Sequence, residues 1–328
     1  MTIYTAKDAD PDFVRSKRIA IIGYGNQGHA HALNLRDSGA KHVVIGSRPG
    51  ASRDKAQADG FPVLSNAEAV QHADIVVLGL PDETMPGIYA ADLAPGMLKN
   101  AALVFIHGFA LHFGFIRPRE DLDVIMVAPA GPGRALRENY VNGDGYIGLF
   151  AVQRDVTGTA KKLALSYGAA IGCGAGLIET TFAEETETDL FGEQTVLCGG
   201  SAELARAAFD TLVEAGYAPE LAYFECLHQL KLLVDLMHTR GPAGMYKAIS
   251  NTAEYGAYRT GPRVIDSHVR EEMKRVLADI RSGKFAKEWM DENARGQTQF
   301  RKMREIAAAH PIESVGERLR RLMPWLKR

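Results

Sequence analysis

The chain has 328 residues, 46% hydrophobic and 24% charged, which at about 150 residues per domain points to two domains, or one large α/β domain with an appendage, excludes a single small module and gives the balance of an ordinary globular protein, not of a disordered one. Lys and Arg (38) nearly cancel Asp and Glu (40), so a formal net charge of -2 offers no basic field for nucleic acid or an anionic membrane. Apolar stretches such as 73–80 are too short to cross a bilayer, and residues 1–17 carry charges where a signal peptide has an apolar core, so a cytoplasmic protein is expected. Cys173, Cys198 and Cys226 are widely separated, with no C-x-x-C, and are expected as buried thiols, not as a disulfide framework or zinc site.

In chain order, short β-branched runs ending in Gly predict strands at 18–22, 42–45, 74–80, 102–107, 124–128 and 146–152, with helical patterns filling several gaps. Near-continuous apolar strands alternating with helices indicate a Rossmann-type, doubly wound parallel sheet covered on both faces. From about Thr181 the strand pattern stops. Apolar residues at helical spacing over 184–214, 220–238 and 270–281 predict an all-helical second domain, giving domains at 1–181 and 182–328. The basic tail, with Arg318, Arg320, Arg321, Lys327 and Arg328, reads as a solvated last helix.

Gly23-Tyr24-Gly25-Asn26-Gln27-Gly28 is a G-x-G-x-x-G between the first long strand and a helix predicted through Leu35. In that context the glycines allow a tight turn, close approach of backbone to a pyrophosphate, and close helix–strand packing. The expected cofactor-binding residues are Gly23, Tyr24, Gly25, Gln27 and Gly28. About 20 residues further on, an NAD-binding unit carries a carboxylate for the ribose hydroxyl. This chain has Arg48, Ser52 and Arg53 there and no carboxylate before Asp54, so NADP(H) is expected, with those three residues on the 2′-phosphate.

Glu184, Glu185, Glu187, Asp189 and Glu193 crowd one stretch, with Glu185, Asp189 and Glu193 at i, i+4 and i+8 on one helical face. Like charges so placed repel by roughly 0.2–0.5 kcal/mol per pair. An exposed acidic face is the ordinary explanation. However, the stripe lies among Leu190, Phe191, Gly192, Val196 and Leu197, and Glu225 sits in a second apolar helix, so hard oxygen ligands for Mg²⁺ are the functional expectation. His228 and His238 read as core or surface residues.

The 23–35 stretch, Asp189-Leu190-Phe191-Gly192-Glu193-Gln194, Tyr223-Phe224-Glu225-Cys226-Leu227-His228 and Ser250-Asn251-Thr252-Ala253-Glu254-Tyr255-Gly256 together resemble short-form (class I) ketol-acid reductoisomerase, from about Lys17 to beyond Pro311. The resemblance implies conversion of 2-acetolactate or 2-aceto-2-hydroxybutyrate into a dihydroxy acid of branched-chain amino-acid synthesis, with NADPH and two Mg²⁺. It also implies a homodimer, or a larger assembly of dimers, with interlocked helical domains. By the same resemblance Asp189 bridges the metals, Glu193 binds one, and Glu225 reaches the other from the partner subunit. His107 and Glu185 match polar catalytic residues, His107 beside the cofactor, and Ser250 matches the residue that binds the substrate carboxylate.

Two positions depart from that pattern. Ala130 replaces a Lys after Val-Ala-Pro, and Gln229 replaces a carboxylate one turn after Glu225, leaving a weak metal ligand. Ala110 and Arg134 also replace the usual Asn and His. Three readings follow: a reductase of this type acting on a C=O or C=N group beside a carboxylate, a complete reductoisomerase, and a catalytically silent nucleotide-binding dimer. The intact glycines and the intact Asp189 and Glu193 argue against the third.

Overall fold

The computed structural model describes residues 2–327. Among them nine strands form one sheet: β1 (Ile3–Tyr4), β2 (Arg18–Ile22), β3 (His42–Gly46), β4 (Val63–Leu64), β5 (Ile75–Leu78), β6 (Ala102–Phe105), β7 (Asp123–Pro129), β8 (Ile147–Arg154) and β9 (Gly176–Glu179). Their order is β1-β9-β8-β7-β6-β5-β2-β3-β4. The run from β7 to β4 is parallel throughout, in the doubly wound order whose direction of growth reverses between β2 and β5. In register, Ile21 lies between Ile45 and Val77.

Side chains alternate across these strands, so Ile19, Ile21, Val77 and Val104 enter one buried layer while Ala20, Ile22, Leu78 and Phe105 enter the other. Helices cover both faces, which is why the strands read as unbroken apolar runs. The sheet is not wholly parallel, which corrects the sequence expectation at one edge. β8 runs antiparallel to β7, β9 runs parallel to β8, and β1 pairs antiparallel with β9. Helix Gly133–Asn142 ends on Gly143 at φ 78°, and the chain turns again at Gly145, φ 73°, before entering β8. Strand direction follows from this connection and not from composition. The two-residue strands β1 and β4 are too short to show any periodicity.

The chain separates into two compact units, Met1–Thr188 and Asp189–Arg328, and the division falls within helix Phe182–Gly192. The second unit is helical among its described residues, with a core of Phe209, Ala222, Tyr223, Ile312, Val315 and Leu319 with Met323. Helices Asn251–Val264 and Thr298–Ala309 bury no residue in it. Helix Gln229–Tyr246 breaks direction at Gly241, φ 69°, ahead of Pro242. Helix Pro311–Arg321 buries Ile312, Val315 and Leu319 and exposes a basic face on which Arg318 and Arg321 pair with Glu220 and Glu317. Arg328 and the Lys327 side chain lie outside the described residues. Cys173 is buried, its thiol pushed up to about 12 by desolvation. Cys226 is partly buried and Cys198 is exposed, so the expectation of buried thiols fails for Cys198, which follows a π turn that rotates the helix face.

Candidate active site

A cleft of about 910 Å³ opens where the sheet reverses its order, lined by the segments that follow β2, β3, β5 and β6. Helix Asn26–Asp37 starts at its edge with Gly25 as N-cap and no side-chain cap, so the first N–H groups are left for a ligand. Each glycine of the turn has a separate physical reason. A Cβ on Gly23, at φ 93°, would lie 2.4 Å from the Gly79 carbonyl oxygen, and one on Gly28 would lie 2.4 Å from that of Gly23. A Cβ on Gly25 would meet nothing within 4 Å. The outer glycines therefore permit protein packing, whereas the space beside Gly25 is open.

Tyr24 lines the cleft with little of its surface exposed. Its ring is buried against Phe61 and His29, and its hydroxyl donates to Asp59 Oδ2 at 2.9 Å, with burial raising its pKa above the ordinary phenol value. Gln27 lines the cleft and donates from Nε2 to the Gly131 carbonyl at 2.9 Å, tying the turn to the loop that carries Ala130. A Cβ on Gly133 would sit 2.2 Å from the Asn26 oxygen, so that loop packs directly on the turn. Arg48 and Ser52 are exposed on the cleft wall. The Arg53 guanidinium donates to the Ser47 and Val63 carbonyls at 3.1 and 3.3 Å, bracing the loop.

His107, just past β6, lines the same cleft. Its Nδ1 lies 2.8 Å from Glu185 Oε1, while Glu185 Oε2 accepts the Gly108 N–H at 2.9 Å and the Thr186 hydroxyl at 3.3 Å. Glu185 is only 4% exposed. From the same post-β6 segment, His112 Nε2 lies 3.5 Å from Glu187 Oε1. No sequence signal pointed to Gly108 or Thr186, because their part is set by close packing: a Cβ on Gly108 would be 2.3 Å from Thr186 Oγ1.

Asp189 is exposed on helix Phe182–Gly192, and Glu193 is exposed at the start of a π turn, Glu193–Leu197. The simple i, i+4, i+8 stripe is thereby corrected: its first member is buried and its last begins a segment of wider turns. Glu225 is also exposed and also lies in a π turn, Phe224–His228, a feature frequent at functional sites. Gln229 Nε2 donates to Glu225 Oε1 at 2.9 Å. Among the described residues, Asp189, Glu193 and Glu225 form no three-carboxylate cluster within one chain. Ser250 caps helix Asn251–Val264, accepting the Ala253 N–H at 3.2 Å. His228 packs edge-on against Phe224, and His238 is exposed.

The family model described as "Acetohydroxy acid isomeroreductase, NADPH-binding domain" matches residues 13–176, and "Ketol-acid reductoisomerase, C-terminal domain" matches 182–325. The chain belongs to the ketol-acid reductoisomerase family. A solved NADH-preferring ketol-acid reductoisomerase from an uncultured archean is 46% identical, superposes with a TM-score of 0.95, and matches over 98% of this chain and 99% of its own. A semialdehyde dehydrogenase NAD-binding protein from Cupriavidus necator, 19% identical with a TM-score of 0.62 over 81% of this chain and 99% of that one, shares the fold. So does a pyrroline-5-carboxylate reductase from Coxiella burnetii, 14% identical with a TM-score of 0.54 over 81% and 97%. Family membership makes this chain an oxidoreductase with a nicotinamide-dinucleotide domain, and the open space at Gly25 with the uncapped helix N-terminus fits that cofactor. Among the described residues, no helix is long and apolar enough to cross a membrane.

Proposed function

We propose that this protein is an NADPH- and Mg²⁺-dependent reductase of the ketol-acid reductoisomerase type, reducing a C=O or C=N group beside a carboxylate, in which alkyl migration is weakened. The observation that carries the reading is the Gln229 amide, which donates to Glu225 where the family pattern has a second carboxylate. An amide brings no negative charge, so a second Mg²⁺ loses an anionic ligand. Migration relies on two metals to ionise and polarise the hydroxy-ketone, whereas reduction relies on a bound nicotinamide and one polarised carbonyl. When bound, the nicotinamide supplies the hydride and Mg²⁺ the polarisation.

Exposed Arg48 and Ser52 on the cleft wall support NADPH, since both can donate to a 2′-phosphate. The archean relative is an NADH-preferring enzyme, so family membership leaves the choice of cofactor open and the preference rests on these cleft-wall side chains. Exposed carboxylates at Asp189 and Glu193 support a metal site completed by the partner subunit's Glu225. Ser250, at the N-terminus of a helix of 14 residues, supports binding of the substrate carboxylate. A homodimer is supported by the apolar surface of the helical unit, where Leu197, Leu221, Tyr255, Met303, Ile306 and Leu322 are each 60% or more exposed. We assign the nucleotide to residues 1–181 and the metals, substrate and dimer contact to 182–328, in a cytoplasmic enzyme.

The experiment offers NADPH and Mg²⁺ with two substrates separately: 2-acetolactate, which needs migration and reduction, and 3-hydroxy-3-methyl-2-oxobutyrate, which needs reduction alone. Preferential turnover of the second supports the reading. Restoration of acetolactate turnover by Ala130→Lys with Gln229→Glu, beyond the two single variants combined, would tie the change to those positions. Efficient acetolactate conversion by the native protein favours the complete reductoisomerase reading, and no turnover of either substrate favours the silent one.

A further inference from the structure

We infer that Glu185, with Gly108 and Thr186 behind it, is a positioning residue that fixes which ring nitrogen of His107 carries the proton. The functional part of the inference rests on the proposed reductase activity; the structural part does not.

Glu185 is 4% exposed. Both of its oxygens are engaged, Oε2 by the Gly108 N–H at 2.9 Å and the Thr186 hydroxyl at 3.3 Å, and Oε1 by His107 Nδ1 at 2.8 Å. With two donors on Oε2, the carboxylate acts as an acceptor and turns its other oxygen, Oε1, to the His107 ring. In this arrangement the proton between Oε1 and Nδ1 is carried by His107. This is how a buried carboxylate selects a histidine tautomer and holds the ring.

The surroundings are built for that contact. A Cβ on Gly108 would lie 2.3 Å from Thr186 Oγ1, 2.9 Å from the Phe182 carbonyl oxygen and 3.0 Å from Glu185 Oε2. Only glycine lets the backbone N–H reach the carboxylate there. Thr186 is fully buried, so its hydroxyl faces the cluster with no water to compete. Glu187 and His112 join the same two segments a second time.

The test uses the full chain labelled with ¹⁵N-histidine. The His107 signals of the native protein should show the Nδ1–H tautomer. In Glu185→Gln the side-chain oxygen must still accept from Gly108, so the amide NH₂ faces Nδ1 and the ring should switch to Nε2–H. For reduction of 3-hydroxy-3-methyl-2-oxobutyrate, kcat should fall by about 10–100-fold, as for other partners of a functional histidine, with NADPH affinity and half-saturating Mg²⁺ changed less than about twofold. Thr186→Val should also lower kcat and Thr186→Ser restore it, which keeps the test decisive if Glu185→Gln does not fold. An unchanged tautomer in Glu185→Gln would overturn the inference. So would a tenfold or greater rise in half-saturating Mg²⁺ with kcat unchanged at saturation, which would make Glu185 a ligand. If the native protein reduces neither substrate, the functional reading fails while the tautomer measurement still decides the positioning.

Discussion

The cleanest separation of folding from binding lies within the glycine turn, where Gly25→Ala and Gly28→Ala should fail in opposite ways. At Gly28 a methyl group meets a carbonyl oxygen at 2.4 Å, an obstacle of rigid backbone. Overpacking costs about 1–3 kcal/mol, and the upper end applies where no flexible side chain can give way. Alanine regains roughly 1 kcal/mol of helix propensity over glycine, leaving a net loss of about 2 kcal/mol. For a unit spanning Met1–Thr188, that lowers Tm by about 4–8 °C. At Gly25 the same methyl meets no protein atom within 4 Å, and φ of -76° suits alanine, so Tm without cofactor should stay within about 2 °C. The methyl would instead hold the pyrophosphate off the helix N-terminus. Losing one charge-assisted hydrogen bond, about 1.5–3 kcal/mol, weakens NADPH binding by about 10–150-fold. Thermal unfolding of the cofactor-free variants and titration of nicotinamide fluorescence read the two effects separately. Equal Tm losses in both variants, or normal NADPH affinity in Gly25→Ala, would refute the assignment of Gly25 to the ligand.

Arg48→Asp should lower kcat/KM for NADPH by at least about tenfold relative to NADH, the loss of one charge-assisted contact; Arg53→Ala, which removes a brace on the Ser47 and Val63 carbonyls, should weaken both cofactors alike. An unchanged NADPH:NADH ratio in Arg48→Asp would remove the 2′-phosphate role. Asp189→Ala should abolish Mg²⁺-dependent turnover while NADPH affinity stays within about twofold, since the turn and the carboxylates come from separate segments; lost NADPH binding would contradict that separation. His31 is fully buried, with Nδ1 2.9 Å from the Tyr167 hydroxyl, and desolvation lowers its pKa from 6.5 to about 3. The unfolded chain then binds a proton that the folded chain refuses, so stability is greatest above pH 6.5 and falls as pH drops from 6.5 toward 3, by at most about 1.4 kcal/mol per pH unit. Denaturant unfolding of His31→Gln should show a shallower acid dependence than the native chain, and an identical slope would exclude His31 as its source.

The sequence by itself determined the nucleotide turn, because a G-x-G-x-x-G between a strand and a helix constrains backbone locally. It determined the central strands for a related reason: burial on both faces leaves a continuous apolar run that needs no distant partner to be read. The acidic residues near Asp189 were visible as an electrostatic anomaly, a run of like charges among apolar neighbours. Tertiary structure decided what depends on residues far apart in the chain. The antiparallel β8 and the edge strand β1 follow from a turn and from pairing with β9, and neither leaves a local periodicity. Arg53 has the position of a phosphate ligand, and only the folded chain shows its guanidinium also bracing two backbone carbonyls. Glu185 looked like one member of an acidic stripe. Its burial against His107, Gly108 and Thr186 arises only when the segment after β6 meets helix Phe182–Gly192 across 77 positions of sequence, a separation over which side-chain periodicity carries no information.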